Sequence, residues 1–253
     1  MERLPENIRG ILSSLVEDLK SRRSVISIGL FGSWSRGEAT SSSDVDLLIV
    51  DGRNLGYEYV ERAEIDGAFI DLDYVPENWV LREFPPEIDQ KIYEAEILFD
   101  SDGTLERAKN TMLKIMWLPE RVEIRTGDYL VKADTLMSRG LSAYGREDHQ
   151  SAKLNAGLGL ETIMKIIIEV NRIPISNSHY IRALEESARK LELKELYDEY
   201  LEITGLSEVN RRNIEGLFKA FVEMWSAAIN LSLIHISEPT RPLYISYAVF
   251  CLK

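Results

Sequence analysis

The sequence predicts an α+β fold followed by a helical bundle, and three observations carry this. Residues 29–50 (GLFGSWSRGEATSSSDVDLLIV) open as a strand, break into a Gly/Ser turn and return as an apolar strand. Two β-rich arms, 57–64 and 68–75, flank Asp66-Gly67, a dipeptide suited to the positive φ angles of a tight hairpin turn. From residue 105 onward apolar residues recur every three to four positions, the period of helices with one buried face.

In chain order, residues 5–22 place Ile8, Ile11, Leu12, Leu15, Val16 and Leu19 at helical spacing, which predicts an opening helix that covers the sheet. Residues 25–31 are β-rich and lead into the Gly/Ser turn. Residues 46–50 read as a short buried strand, ended by Asp51-Gly52. The second hairpin arm, AFIDLDYV, carries Asp71 and Asp73 and is closed by Pro76. Residues 77–94, punctuated by Pro85-Pro86, read as helix and loop, and 96–99 as a short strand before an Asp/Ser/Gly turn. Helices are predicted over 105–116, 121–139, 148–170, 180–191, 193–204 and 208–230. The shift in pattern near residue 118 divides the chain into an α+β domain, 1–117, and a helical bundle, 118–230.

A chain of 253 residues with 45% apolar content can fill a real core. Its net charge of −12, from 42 acidic and 30 basic residues, disfavours broad nucleic-acid binding, which needs lysine and arginine to neutralise phosphates. No run of 18 apolar residues occurs and the first residues lack a signal peptide's hydrophobic segment, so a cytoplasmic protein without a membrane partner is expected.

The chemistry-bearing residues cluster in 29–50. Alternation along a strand puts Asp44 and Asp46 on one face, about 6 to 7 Å apart. Paired carboxylates of that kind suit hard divalent cations, with substrate phosphates completing the shell. A glycine-permitted turn at Gly32-Ser33 offers backbone N–H groups and a hydroxyl to an anion. Together they point to metal-assisted chemistry on a nucleoside triphosphate. Asp71 and Asp73 also share a face and lie on a strand expected beside the first pair.

Gly32-Ser33, the ten residues 34–43 and Asp44-Val45-Asp46 resemble the Gly-Ser, ten residues, Asp-x-Asp pattern of the DNA polymerase β-type nucleotidyltransferase superfamily, in its small prokaryotic branch. Arg36, Gly37 and Ser43 fall where that branch commonly has arginine, glycine and serine. The resemblance implies a nucleotidyltransferase-fold mixed sheet with helices. It also implies Mg2+ as cofactor, as two ions with Mn2+ as substitute, held by Asp44, Asp46 and a third acid. The family's third aspartate sits between apolar residues, as Asp71 does in Ile70-Asp71-Leu72, with Asp73 as the reserve. Gly32 and Ser33 would cradle the β and γ phosphates and Arg36 would add charge to the triphosphate. The implied reaction is transfer of a nucleoside monophosphate from an NTP, ATP foremost, to a hydroxyl of a small molecule or a protein; a homodimer is left open.

The helical half resembles, more loosely, the C-terminal domain of kanamycin-type nucleotidyltransferases, which completes the substrate cleft and supplies an acidic base. Asp148 and Glu161 are both available for that role and spacing does not choose between them. Arg172, six residues and His179 resemble the Arg-x4-6-His element of HEPN ribonucleases, but Pro174 and the Ser/Asn cluster place the intervening residues in a loop. Two rival readings follow: an antitoxin-like nucleotidyltransferase that modifies a HEPN-type toxin partner, and a catalytically inactive nucleotide-binding module. Residues 231–253 (LSLIHISEPTRPLYISYAVFCLK) resemble the translation of a sequencing-library adapter, which sets Cys251 and His235 aside.

Overall fold

A computed structural model describes residues 4–53 and 56–235 of the chain. The tail reading falls largely on residues outside those described. The first unit, which runs to Arg125, is an α+β domain built on a five-stranded sheet of order β3-β4-β2-β1-β5. Its strands are β1 (Val25–Phe31), β2 (Val45–Asp51), β3 (Tyr59–Ile65), β4 (Ala68–Pro76) and β5 (Glu96–Asp100). Only β2 and β4 run parallel; the other neighbours are antiparallel.

The sheet is covered on both faces, which is why β2 reads as an unbroken apolar run. Leu47 and Ile49 join a cluster with Ile28, Leu30, Ile70 and Leu72 beneath α1 (Glu6–Ser21), which inserts Ile8, Ile11, Leu12, Val16 and Leu19. Leu48 and Val50 face the other way, onto Val75, Ile92, Leu105 and Met112. The last three come from α3 (Asp89–Glu94) and α4 (Thr104–Ile115). Leu12 and Leu19 are fully buried, and truncating either to alanine should cost about 2–5 kcal/mol.

Asp66 and Gly67 take φ of 50° and 79° and close the β3–β4 hairpin with Ile65 opposite Ala68. Residues 77–94 form a π-helical turn (Trp79–Glu83), a 3-10 turn (Pro86–Ile88) and α3. The fully buried Asp89 ties α3 to later residues: its carboxylate accepts from Arg121 Nε at 2.7 Å and Arg125 Nη1 at 2.9 Å.

Between β1 and β2 lies a short helix, α2 (Gly32–Arg36), and the helical region continues with α5 (Pro119–Gly145). Helix α5 starts on a proline, whose fixed φ suits a first helical position. The second unit begins within it, at Thr126. It contains α6 (His149–Val170), α7 (Tyr180–Lys190), α8 (Lys194–Thr204) and α9 (Arg211–His235). Its core joins Met164, Ile167 and Ile168 of α6 to Leu184 and Ala188 of α7 and Tyr197 and Tyr200 of α8. Asp148 caps α6, its carboxylate accepting from the Ser151 N–H at 3.0 Å. Among the described residues no helix is long and apolar enough to cross a membrane.

Candidate active site

The site is a row of residues in register across the sheet. Phe31 at the end of β1 is opposite Asp46 on β2, Asp46 is beside Asp71 on β4, and Asp71 is opposite Arg62 on β3. Register partners on adjacent strands share a face. This one is the face that carries Leu48, Val50 and Val75 against α3 and α4. Asp44 immediately precedes β2, delivered by a loop in which the Ser43 hydroxyl accepts from the Thr40 N–H at 2.9 Å.

Burial, reinforced by Asp44, Asp71 and Asp73 and opposed by Arg36, pushes the Asp46 carboxyl up to about 7. Burial likewise raises Asp71, with Arg62 pulling the other way. Two further cations pair directly with the other acids. Arg62 lies between two of the acids, Nη2 at 3.1 Å from Asp44 Oδ2 and Nη1 at 3.4 Å from Asp71 Oδ2, and packs over the Phe69 ring. Lys91 of α3 pairs with Asp73 Oδ2 at 2.7 Å and Glu58 Oε2 at 3.2 Å.

The Gly/Ser turn abuts this row. Gly32 has φ of 74°, and a Cβ there would stand 2.2 Å from Asp46 Oδ2, so both its conformation and its neighbour require glycine. Its N–H donates to Glu94 Oε2 at 3.2 Å, and Arg36 Nη1 donates to the same oxygen at 2.5 Å. Gln90 Nε2 donates to Glu94 Oε1 at 2.7 Å. Arg36 also pairs with Glu38 at 2.8 Å. Ser33 is half-buried in the first turn of α2, and Trp34 packs against the α1-side core.

The structure thus brings Asp44, Asp46, Asp71, Gly32, Ser33 and Arg36 into one neighbourhood, with Asp73 engaged by Lys91. Among the described residues no three His, Cys, Asp or Glu side chains converge closely enough, as they stand, to hold a metal ion. Arg62 occupies the space between Asp44 and Asp71. The donor set still fits a hard cation: the acids are aspartates, and Asp71 Oδ1 is buried without a hydrogen-bond partner. Glu94, Arg62 and Lys91 are the site's members that pattern reading missed. Of these, Arg62 had a signal, since the hairpin register that sets Ile65 opposite Ala68 also sets Arg62 opposite Asp71.

In the second unit Glu161, His179, Tyr180, Arg182 and Tyr200 line an open cavity of about 410 Å3. Glu161 there pairs with Lys165 at 3.3 Å.

Residues 12–122 match the nucleotidyltransferase domain family. Among curated proteins, the protein adenylyltransferase MntA of Thermococcus cleftensis is 48% identical over 44 residues, 17% of this chain. The chain spans 44% of that relative's length. Among solved structures, a nucleotidyltransferase-like protein from Exiguobacterium sibiricum is 12% identical, with a TM-score of 0.46 over 83% of this chain and 74% of that one.

Proposed function

We propose that the chain acts, through residues 12–122, as a nucleotidyltransferase that moves a nucleoside monophosphate from an NTP, with ATP as donor, to a hydroxyl group. In that reaction the hydroxyl oxygen forms a bond to the α-phosphorus as the bond to the departing pyrophosphate breaks, and the hydroxyl's proton passes to solvent water.

The observation that carries this reading is the register of Asp46 beside Asp71, with Asp44 and Asp71 both within reach of one guanidinium. Asp44, Asp46 and Asp71 would hold Mg2+ or Mn2+, which when bound supplies a counter-charge for the triphosphate and the entering and leaving oxygens. Asp73 is the less suited third ligand because its carboxylate already neutralises Lys91. The turn at Gly32 and Ser33, with Arg36, would orient the phosphates. The helical residues 118–230 would supply the acceptor side, and the cytoplasm, with its NTP pool, is the setting that suits the reaction.

A protein acceptor is favoured over a small molecule by one finding, the relative named as a protein adenylyltransferase. Modification of a HEPN-type toxin partner is the specific form of that reading. The test is incubation with each α-labelled NTP, with and without Mg2+ or Mn2+, against cell-lysate proteins, aminoglycosides and tRNA. Metal-dependent label transfer that Asp46→Asn abolishes is expected. No transfer with any acceptor, together with no metal-dependent nucleotide binding, would overturn the proposal.

A further inference from the structure

Glu94 ends α3 with its side chain only 4% exposed, and all of its recorded partners are donors. One oxygen is shared by the Gly32 N–H and Arg36 Nη1, and the other accepts from Gln90. Asp46 Oδ2 lies against the same Gly32 from another side. Arg36 has three acidic neighbours, Glu38, Glu94 and Asp46, and it is bonded to the first two, of which Glu94 is the buried one. A guanidinium pairs most strongly with the carboxylate that is least solvated and best aligned. Were it to pair with Asp46 instead, it would neutralise a carboxylate that the metal needs.

We infer that Glu94 is a positioning residue of this site: it holds Arg36 and the Gly32 turn in place and keeps the guanidinium off Asp46, so that Asp46 stays available to a divalent cation. The inference rests on the reading of Asp46 as a metal ligand and deepens it. Glu94 touches neither metal nor nucleotide in this scheme and acts through Arg36. Lys91, three residues earlier on the same helix and so on the same face, pairs directly with Asp73. One face of α3 thus presents an acid to the phosphate turn and a base to the carboxylate row.

The experiment measures Mn2+ binding by electron paramagnetic resonance, without nucleotide, for the full chain and for Glu94→Gln, Glu94→Ala, Arg36→Ala and the Glu94→Ala/Arg36→Ala pair. Thermal melting in EDTA is followed alongside to ensure that every variant is folded at the titration temperature. Partners one step removed from a metal typically change its affinity by about 10- to 100-fold. Glu94→Ala is therefore expected to weaken Mn2+ binding by about tenfold, the low end of that range. Glu94→Gln, which keeps an acceptor for the Gly32 N–H but loses the charge, is expected to weaken it with little change in melting temperature. Removing Arg36 as well should restore affinity close to that of the unaltered protein, because the guanidinium that competes for Asp46 is then gone.

Unchanged Mn2+ affinity in both Glu94 variants would overturn the inference while leaving the proposed function intact. A loss in Glu94→Ala that persists in the double variant would do the same, since it would mark a merely structural role. Failure of the unaltered protein to bind Mn2+ would overturn the metal-dependent reading itself, and this inference with it.

Discussion

Gly32 and Asp46 are pressed together: a methyl group on the glycine would fall 2.2 Å from Asp46 Oδ2 and 3.0 Å from its Cγ. The carboxylate is short and rooted in a central strand, so it cannot swing aside as the end of a long side chain would. Gly32→Ala should therefore cost both the backbone strain of a positive φ and the position of Asp46. Strain of this kind is worth about 1–3 kcal/mol, and urea unfolding should show a loss in that range. Gly37→Ala is the control, because Gly37 has φ of 72° but nothing within 4 Å of its added Cβ. It should lose stability comparably while keeping metal-dependent nucleotide binding, which Gly32→Ala should lose.

Arg62 stands where a cation is wanted, bridging Asp44 and Asp71 while 55% exposed. Exposed pairs are worth only about 0.2–1 kcal/mol each, so a divalent ion can displace it. Arg62→Gln is expected to lower the melting temperature in EDTA, where the aspartates then repel one another, and to leave it unchanged in saturating Mg2+. Isothermal titration with Mn2+ should show tighter binding, because the competitor is gone. Weaker Mn2+ binding would instead make Arg62 a supporter of the site.

The strand, turn and strand around Gly32 and Asp46 were readable in the sequence because alternation and turn chemistry are local. The Asp66-Gly67 hairpin was readable for the same reason, and its register carried Arg62 to Asp71. Alternation placed Asp71 and Asp73 on one face but could not separate them. What separates them is Lys91, which reaches Asp73 from α3 across a stretch of π-helical and 3-10 turns that no periodicity describes. Glu94 had no local signature either; an acid at the end of a six-residue helix usually faces solvent, and here tertiary packing buries it against the Gly32 turn. The division of the chain into two units falls between Arg125 and Thr126, inside the continuous helix α5, where no break in pattern marks the place.

The Asp46 carboxyl sets the pH behaviour. Its folded value, about 7, lies above its ordinary value of 3.8, so the native state holds a proton that the unfolded chain releases. Stability from this group is complete below about 4 and is lost as pH rises through about 7. In EDTA the melting temperature should fall between pH 5 and 8, as far as this group governs it, and Asp46→Asn should flatten that fall. Metal binding runs the opposite way, because the proton must leave first. Mn2+ affinity should climb as pH rises toward about 7 and level off above it, and a pH-independent affinity over that range would count against a raised Asp46 carboxyl.

Asp71→Asn and Asp73→Asn separate the two acids of β4 by opposite signs. Asp71 sits in register with Asp46, burial raises its carboxyl, and its Oδ1 is buried without a partner. Replacing it with asparagine removes one charge from a crowded row, so metal-free stability should hold or rise while metal-dependent nucleotide binding is lost. Asp73 is 8% exposed and answers Lys91. Its replacement leaves the lysine with Glu58 alone in a low-exposure site, and breaking a buried pair from one side can cost about 3–5 kcal/mol. The partial exposure of Lys91, at 20%, puts the expected loss below that range. Chemical denaturation in EDTA and Mn2+ titration, run on both variants, give the comparison. If Asp73→Asn abolishes Mn2+ binding at unchanged stability while Asp71→Asn does not, the third ligand is Asp73 and Lys91 is its displaceable counter-ion.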